Sequence, residues 1–190
     1  MKVKILLLAI GIISACSPHY PQVWIQTSAG NIRVELYPDK APVTVHNFLH
    51  YVDQGKYNGA TFYRVVTPDN QPGKKVKIEV IQGGLEGIAP VDSFPGIIHE
   101  TTLQTGIHHL DGTLSMARDK PGTASTEFFI CIGNQPELDF GGKRNPDLQG
   151  FAAFGRVLEG MDVVRSIQHM PADSNQMLLQ PVTILHIMRI

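Results

Sequence analysis

Gly112-Thr-Leu-Ser-Met-Ala-Arg118 and, a few residues on, Thr126-Glu-Phe-Phe-Ile-Cys-Ile132 decide how the chain is read. Both are short apolar runs rich in strand-forming residues. The linking Asp119-Lys-Pro-Gly-Thr-Ala-Ser125 carries a Pro-Gly turn signal, so two strands joined by a loop are predicted. Side chains alternate across a strand. Leu114 and Met116 then share one face, with Thr113, Ser115 and Ala117 on the other, while Phe128, Ile130 and Ile132 oppose Phe129 and Cys131. Phenylalanine on both faces needs two explanations, one for the core and one for whatever lies outside it. The plainer alternative is that other elements cover both faces.

Outward from this pair the period of two recurs. Val23-Trp-Ile-Gln-Thr27 and Ile32-Arg-Val-Glu-Leu36 flank Ser28-Ala-Gly-Asn31 as a hairpin, with Ile32, Val34 and Leu36 inward and Arg33 and Glu35 outward. Ala60–Val66 is a strand with one charge in it, Arg64. Lys77–Gln82 is another, ending at Gly83-Gly84 where backbone freedom is needed. Phe151–Val157 and the segment after Pro181 add two more. In the latter, Val182, Ile184, His186 and Met188 alternate with Thr183, Leu185, Ile187 and Arg189. Helical spacing appears twice: at Val45, Phe48, Leu49 and Val52, between Pro42 and Gly55, and at Met161, Val164 and Ile167 in Gly160–Gln168. Thr67–Lys77 reads as a polar surface loop, and residues 85–111 and 133–150 as irregular.

A chain of 190 residues, 43% hydrophobic and 17% charged, suits one globular domain with a sizeable core. A net charge of −1 without a basic stripe argues against nucleic acid as the main partner. His46 and His50 have metal-ligand spacing, but no third ligand accompanies them, so they and His108-His109 are read as solvated, and no metal is expected.

Met1-Lys-Val-Lys4, the apolar run Ile5–Ile13 and Ser14-Ala15-Cys16 read as a signal peptide over residues 1–15, too short to span a bilayer. Ile13-Ser-Ala-Cys16 resembles the bacterial lipobox. It implies cleavage before Cys16, lipidation of its thiol, and residues 16–22 as a tether. Ser17 resembles the outer-membrane sorting pattern, which points to a lipid-anchored periplasmic protein. The alternative is an ordinary secretory signal. With Cys16 lipidated, Cys131 has no partner for an internal disulfide and reads as an inert packed thiol.

Gly112–Ala117 followed by Phe128-Phe129-Ile130, with Phe62-Tyr63-Arg64-Val65-Val66, Ile81-Gln82-Gly83-Gly84, Leu138-Asp139 and Phe154-Gly155-Arg156-Val157, resembles in ordered combination the cyclophilins. These are β-barrel peptidyl-prolyl cis/trans isomerases. The resemblance implies a mainly β domain over residues 23–190, a closed eight-stranded antiparallel barrel capped by two α-helices and filled with side chains. It implies rotation of X–Pro bonds in unfolded or extended segments, with no cofactor and a monomeric enzyme. Arg64 matches the family's catalytic arginine; taken alone it would be a surface-paired strand residue. Phe129 matches the proline-pocket phenylalanine, and Gln82 the glutamine that holds substrate backbone and supports the arginine. Ala117 and Arg118 match positions along the peptide groove, and Leu138 a pocket wall. Departures from the family pattern are Glu79 for a pocket phenylalanine, Val80 for a methionine, Glu127 for a groove glutamine, Glu137 for an aromatic residue and Phe151 for a histidine. Carboxylates at 79 or 127 are expected to be able to pair with Arg64, and lost aromatic area to weaken the pocket. A reduced activity is therefore expected. The rival is a peptide-binding chaperone module with little catalysis.

Overall fold

The computed structural model describes residues 20–88 and 93–190; the signal segment and Cys16 lie outside the described residues. Its strands in chain order are β1 (Gln22–Thr27), β2 (Gly30–Leu36), β3 (Thr61–Val66), β4 (Val80–Gly84), β5 (Thr113–Met116), β6 (Phe128–Cys131), β7 (Ala152–Glu159) and β8 (Met177–Arg189). They close antiparallel into one barrel in the order β1-β2-β7-β5-β6-β4-β3-β8. In the pair that opened the reading, Leu114 faces Ile130 and Ser115 faces Phe129.

The alternation predicted for β6 is what the barrel uses. Phe128, Ile130 and Ile132 belong to the interior cluster, with Ile25, Ile32, Val34, Leu36 and Phe154. Phe129 and Cys131 belong to a second cluster outside the barrel, with Val66, Ile78, Val80 and Leu138. Inside, Phe128 meets Phe48, Tyr57 and Phe62 edge-on at 5.6–5.7 Å, and each such ring contributes about 1.5–3 kcal/mol by leaving water. Cys131 is free and buried, as expected of an inert thiol, and burial pushes its pKa well up.

Helix α1 (Pro42–Asp53) turns Val45, Phe48, Leu49 and Val52 into the interior, and α3 (Met161–Gln168) adds Val164 and Ile167. A third helix, the single turn α2 (Thr102–Thr105), corrects the expectation of two. It carries a capping box between Thr101 and Gln104 and ends at Gly106 with φ +67°. One turn is too short for apolar periodicity, so only the cap chemistry could have revealed it. Nearby, Glu100 caps α1 from 57 positions away, its carboxylate accepting from the Val43 and Thr44 N–H groups. The last strand also differs from the reading. β8 runs through Pro181, and its register shifts where Gln26 pairs with His186 but Thr27 with Ile184. Ile184 and Ile187 therefore point inward, and His186 is exposed.

Candidate active site

Strict alternation would send Tyr63 and Arg64 to opposite faces of β3. The ladder to β4 shifts instead: Phe62 faces Gly83 and Arg64 faces Gln82, leaving Tyr63 as an extra residue. Phe62 and Val65 then fill the barrel, while Tyr63 and Arg64 both line a concavity of about 420 Å³ on its outside. Gly83 suits this bulge, because a Cβ there would lie 2.7 Å from the Thr61 carbonyl. Gly84 has φ +152°, and a side chain on it would overlap the Glu127 carboxylate. Arg64, Val80, Gln82, Ala117 and Arg118 all line the concavity, as do Glu127, Phe129, Leu138 and Phe151. The sequence-predicted groove is thus brought together in one place.

A directed chain of hydrogen bonds crosses its floor. Arg64 Nη1–H donates to Gln82 Oε1 (2.8 Å), Gln82 Nε2–H to the Tyr63 oxygen (2.7 Å), and Tyr63 O–H to Glu127 Oε2 (2.7 Å). The Leu85 N–H and Thr126 hydroxyl complete the Glu127 carboxylate at 2.7 and 3.2 Å. An ionised carboxylate only accepts, so Tyr63 must donate to it. The phenol oxygen then takes the Gln82 amide nitrogen, which leaves the amide oxygen facing Arg64. On the other side Gln176 Oε1 accepts from Arg64 Nε (3.2 Å) and Nη2 (2.5 Å), and its own Nε2–H donates to the Asn70 carbonyl. Burial lowers the Arg64 pKa, yet a guanidinium stays charged in proteins. Burial raises Glu127 above the usual carboxylate range despite its donors. Burial first, then the Glu127 charge, raises Tyr63.

The apolar wall is Phe129 with Ile78, Val80 and Leu138. Phe151 meets the Phe129 ring edge-on at 5.3 Å. His109 stacks on it at 6.0 Å, with planes 15° apart. That corrects the reading of His109 as solvated: it is 1% exposed, its Nδ1–H donating to Asp139 Oδ1 (2.6 Å) and its Nε2 accepting from the Ser115 hydroxyl (2.9 Å). Burial lowers its pKa against the pull of Asp139, so the ring is neutral. His108 is exposed, as read, although its Nδ1 meets Asp139 Oδ2 at 2.8 Å. His46 and His50 are exposed too, and among the described residues no cluster could hold a metal ion.

Glu79 and Glu127, expected to be able to pair with Arg64, do not, and Glu137 does not either. Glu79 points away from the concavity toward Gln168, because Ile78, just before β4, and Val80 and Gln82 within it occupy the groove face. Glu137 accepts from the Lys143 N–H and lines a different depression. Glu127 lies in the groove but ends the chain that orients Gln82. Arg118 is a brace more than a free groove group. Its guanidinium grips Asp147 at 2.8 and 3.0 Å and the Gly150 carbonyl, and lies 5.2 Å over the Phe151 ring. Tyr63 was read only as part of the motif around Arg64, with no role of its own, and Ile78, Arg144 and Gln176 went unremarked in the sequence. Gln176 sits at φ +72° just before β8, where no periodicity points to it.

A model of the cyclophilin type peptidyl-prolyl cis-trans isomerase family matches residues 22–189. The chain is 34% identical to a peptidyl-prolyl cis-trans isomerase of Acinetobacter baylyi over 181 residues, covering 93% of this chain and 89% of that one. It is 32% identical to peptidyl-prolyl cis-trans isomerase B of Escherichia coli, covering 85% and 98%. Among solved structures, a cyclophilin type isomerase of Cryptosporidium parvum superposes with a TM-score of 0.72 at 21% identity, covering 90% and 98%. A crystal of that protein in the presence of the dipeptide Ala-Pro gives 0.69 at 22%, covering 87% and 96%. At these identities the structures show likeness of fold.

Proposed function

The chain belongs to the cyclophilin type peptidyl-prolyl cis-trans isomerase family, and from that premise we propose that Arg64 drives X–Pro rotation while Phe129, Val80 and Leu138 grip the proline ring. The barrier is amide resonance, roughly 18–20 kcal/mol. As the C–N bond twists, the proline nitrogen regains a lone pair that a fixed N–H donor can bind. A donor complementary to the twisted form and not the planar one lowers the barrier. The observation that carries this reading is the fixed fork of Arg64 beside an apolar wall. Each of its three nitrogens is held by Gln82 or Gln176, which leaves one N–H on each terminal nitrogen for substrate. The likeness to a structure obtained with Ala-Pro supports a prolyl ring as occupant.

Gln82, Ala117 and Glu127 flank the backbone of the bound segment, with Arg118 and Phe151 holding the rim. The segment is extended or unfolded, in secreted or envelope proteins. The protein acts as a monomer held in the periplasm by lipid on Cys16, a reading whose support is the lipobox-like Ile13-Ser-Ala-Cys16. Identical mature masses and soluble release for wild type and Cys16→Ala would remove the anchor.

The test of the chemistry is Arg64→Ala in a protease-coupled assay on an Ala–Pro peptide. kcat/KM should fall about 10²–10³-fold. Equal rates would reject Arg64 as the catalytic group, and binding without turnover by wild type would favour the chaperone module.

A further inference from the structure

Seven arginines are present, and their pairing is uneven. Arg33, Arg118, Arg156, Arg165 and Arg189 each meet a carboxylate. Among the described residues Arg64 and Arg144 meet none, and both line the same concavity. Arg144 comes from the irregular stretch 141–149 and is fixed by one nitrogen. Its Nη1 donates to Gln71 Oε1 and to the Val76 carbonyl, both at 2.9 Å. Gln71 is itself buried and tied to Thr67 and Ile78, so the anchor is firm. Nε and Nη2 have no partner among the described residues. The two cations feel each other: burial and then the charge of Arg64 lower the Arg144 pKa.

We propose that Arg144 reads a carboxylate on the residue that follows the proline, so that this site prefers prolyl segments followed by Asp or Glu. The inference rests on the isomerase reading. Three cations and three carboxylates line the concavity, and with Arg118 paired to Asp147 and Arg64 held by Gln82 and Gln176 the charges that remain are unevenly placed. Glu127 and Glu86 border it at the Gly84 end of β4, where Leu85 donates to Glu127, and Asp119 lines it as well. Arg144 borders it at the Ile78 end, through Val76. Ala117 bonds the Glu127 carbonyl through its N–H, so a segment that lies along Ala117 before its proline leaves by the acidic end. The residue after the proline then runs toward Arg144. In the isomerase reading Arg64, held by Gln82 and Gln176, serves the imide nitrogen, which leaves Arg144 for the residue that follows the proline. A half-buried guanidinium that meets no carboxylate among the described residues is left to bind an anion supplied by substrate.

The experiment measures isomerisation by NMR exchange on Ala-Pro peptides carrying Glu, Gln or Lys after the proline. Wild type should favour Glu over Gln about five-fold in kcat/KM, through KM, as a partly exposed ion pair allows. Lys should be poorest. Salt should erase the preference in wild type, Arg144→Gln should bring the ratio to about one, and Arg144→Lys should keep part of it. A wild-type ratio of one, a ratio that survives Arg144→Gln, or a larger gain from Glu placed before the proline overturns the proposal. Turnover of the Gln peptide judges the isomerase reading separately. If wild type turns over no peptide, calorimetric binding of the Glu against the Gln peptide still judges Arg144, equal affinities counting against it.

Discussion

Phe128 and Phe129 are chain neighbours that live in different surroundings. Phe128 is ringed by Phe48, Tyr57 and Phe62 inside the barrel. Phe129 has His109 on one face and Phe151 at its edge, and it borders the open concavity. The interior is apolar on every side, so any residue that keeps volume and alternation serves it. The outer wall is apolar toward the substrate and polar beneath, which makes it depend on partners brought from β5, the 133–150 stretch and the loop after α2. A closed core is specified by pattern, whereas an open pocket is specified by what holds its back.

The sharpest way to break that contrast is to truncate each ring. Phe128→Ala should cost about 3–5 kcal/mol of stability, read by urea denaturation, because the surrounding rings cannot close the void. Phe129→Ala should cost less, since it enlarges a space already open, yet lower kcat/KM by about ten-fold through lost grip on the proline. Equal stability losses would mean that the outer cluster is ordinary core.

A smaller effect is expected at Glu127. Burial raises its pKa, so kcat/KM should decline severalfold as pH falls through a value above the ordinary carboxylate range, where a protonated Glu127 no longer dictates the direction of the Tyr63–Gln82–Arg64 chain. Glu127→Gln keeps an acceptor for Tyr63 and cannot titrate, so its profile should be flat there. The stability sign is opposite. An acid with a raised folded pKa loses stability as pH rises past its unfolded value. Glu127→Gln should therefore raise the unfolding midpoint at pH 7, and an unchanged profile and midpoint would remove Glu127 from the chain.

The smallest effect concerns the back of the pocket. His109 has a lowered folded pKa, so the unfolded state takes up protons first as pH drops below about 6.5. The wild-type unfolding midpoint should fall between pH 7 and 5, and His109→Asn should make that slope shallower, the remainder coming from His99, which burial also lowers. A slope unchanged in the variant would place the titration elsewhere.

The barrel was legible because most strands carry their own evidence: Ile32, Val34 and Leu36, or Phe128 and Ile130, announce a face within five residues, whereas the register shifts in β3 and β8 break that period. The groove was legible only where residues sit inside such strands or match the ordered family motifs, as Arg64, Gln82 and Phe129 do. Arg144, Gln176 and His109 lie where no period exists, and their positions follow from bonds to partners up to 112 positions away. Asp139, next to Leu138, was the one hint that a buried donor awaited it. The glutamate at 79 misled because a residue's offset from Gln82 was counted without its strand face. Alternation puts Ile78 and Val80, and not Glu79, on the side of Gln82.

The extra residue in β3 has a larger meaning than a kink. Were the ladder to run one-for-one with Tyr63 counted in it, the guanidinium and Val65 could not both keep their faces. Either a cation would enter the barrel among phenylalanines, at a cost in desolvation no partner there could offset, or a valine would be stranded in the groove. Chemistry and folding are therefore locked to the same count of residues, and a frame slip of one in this strand would be rejected by the core before catalysis could be tested at all.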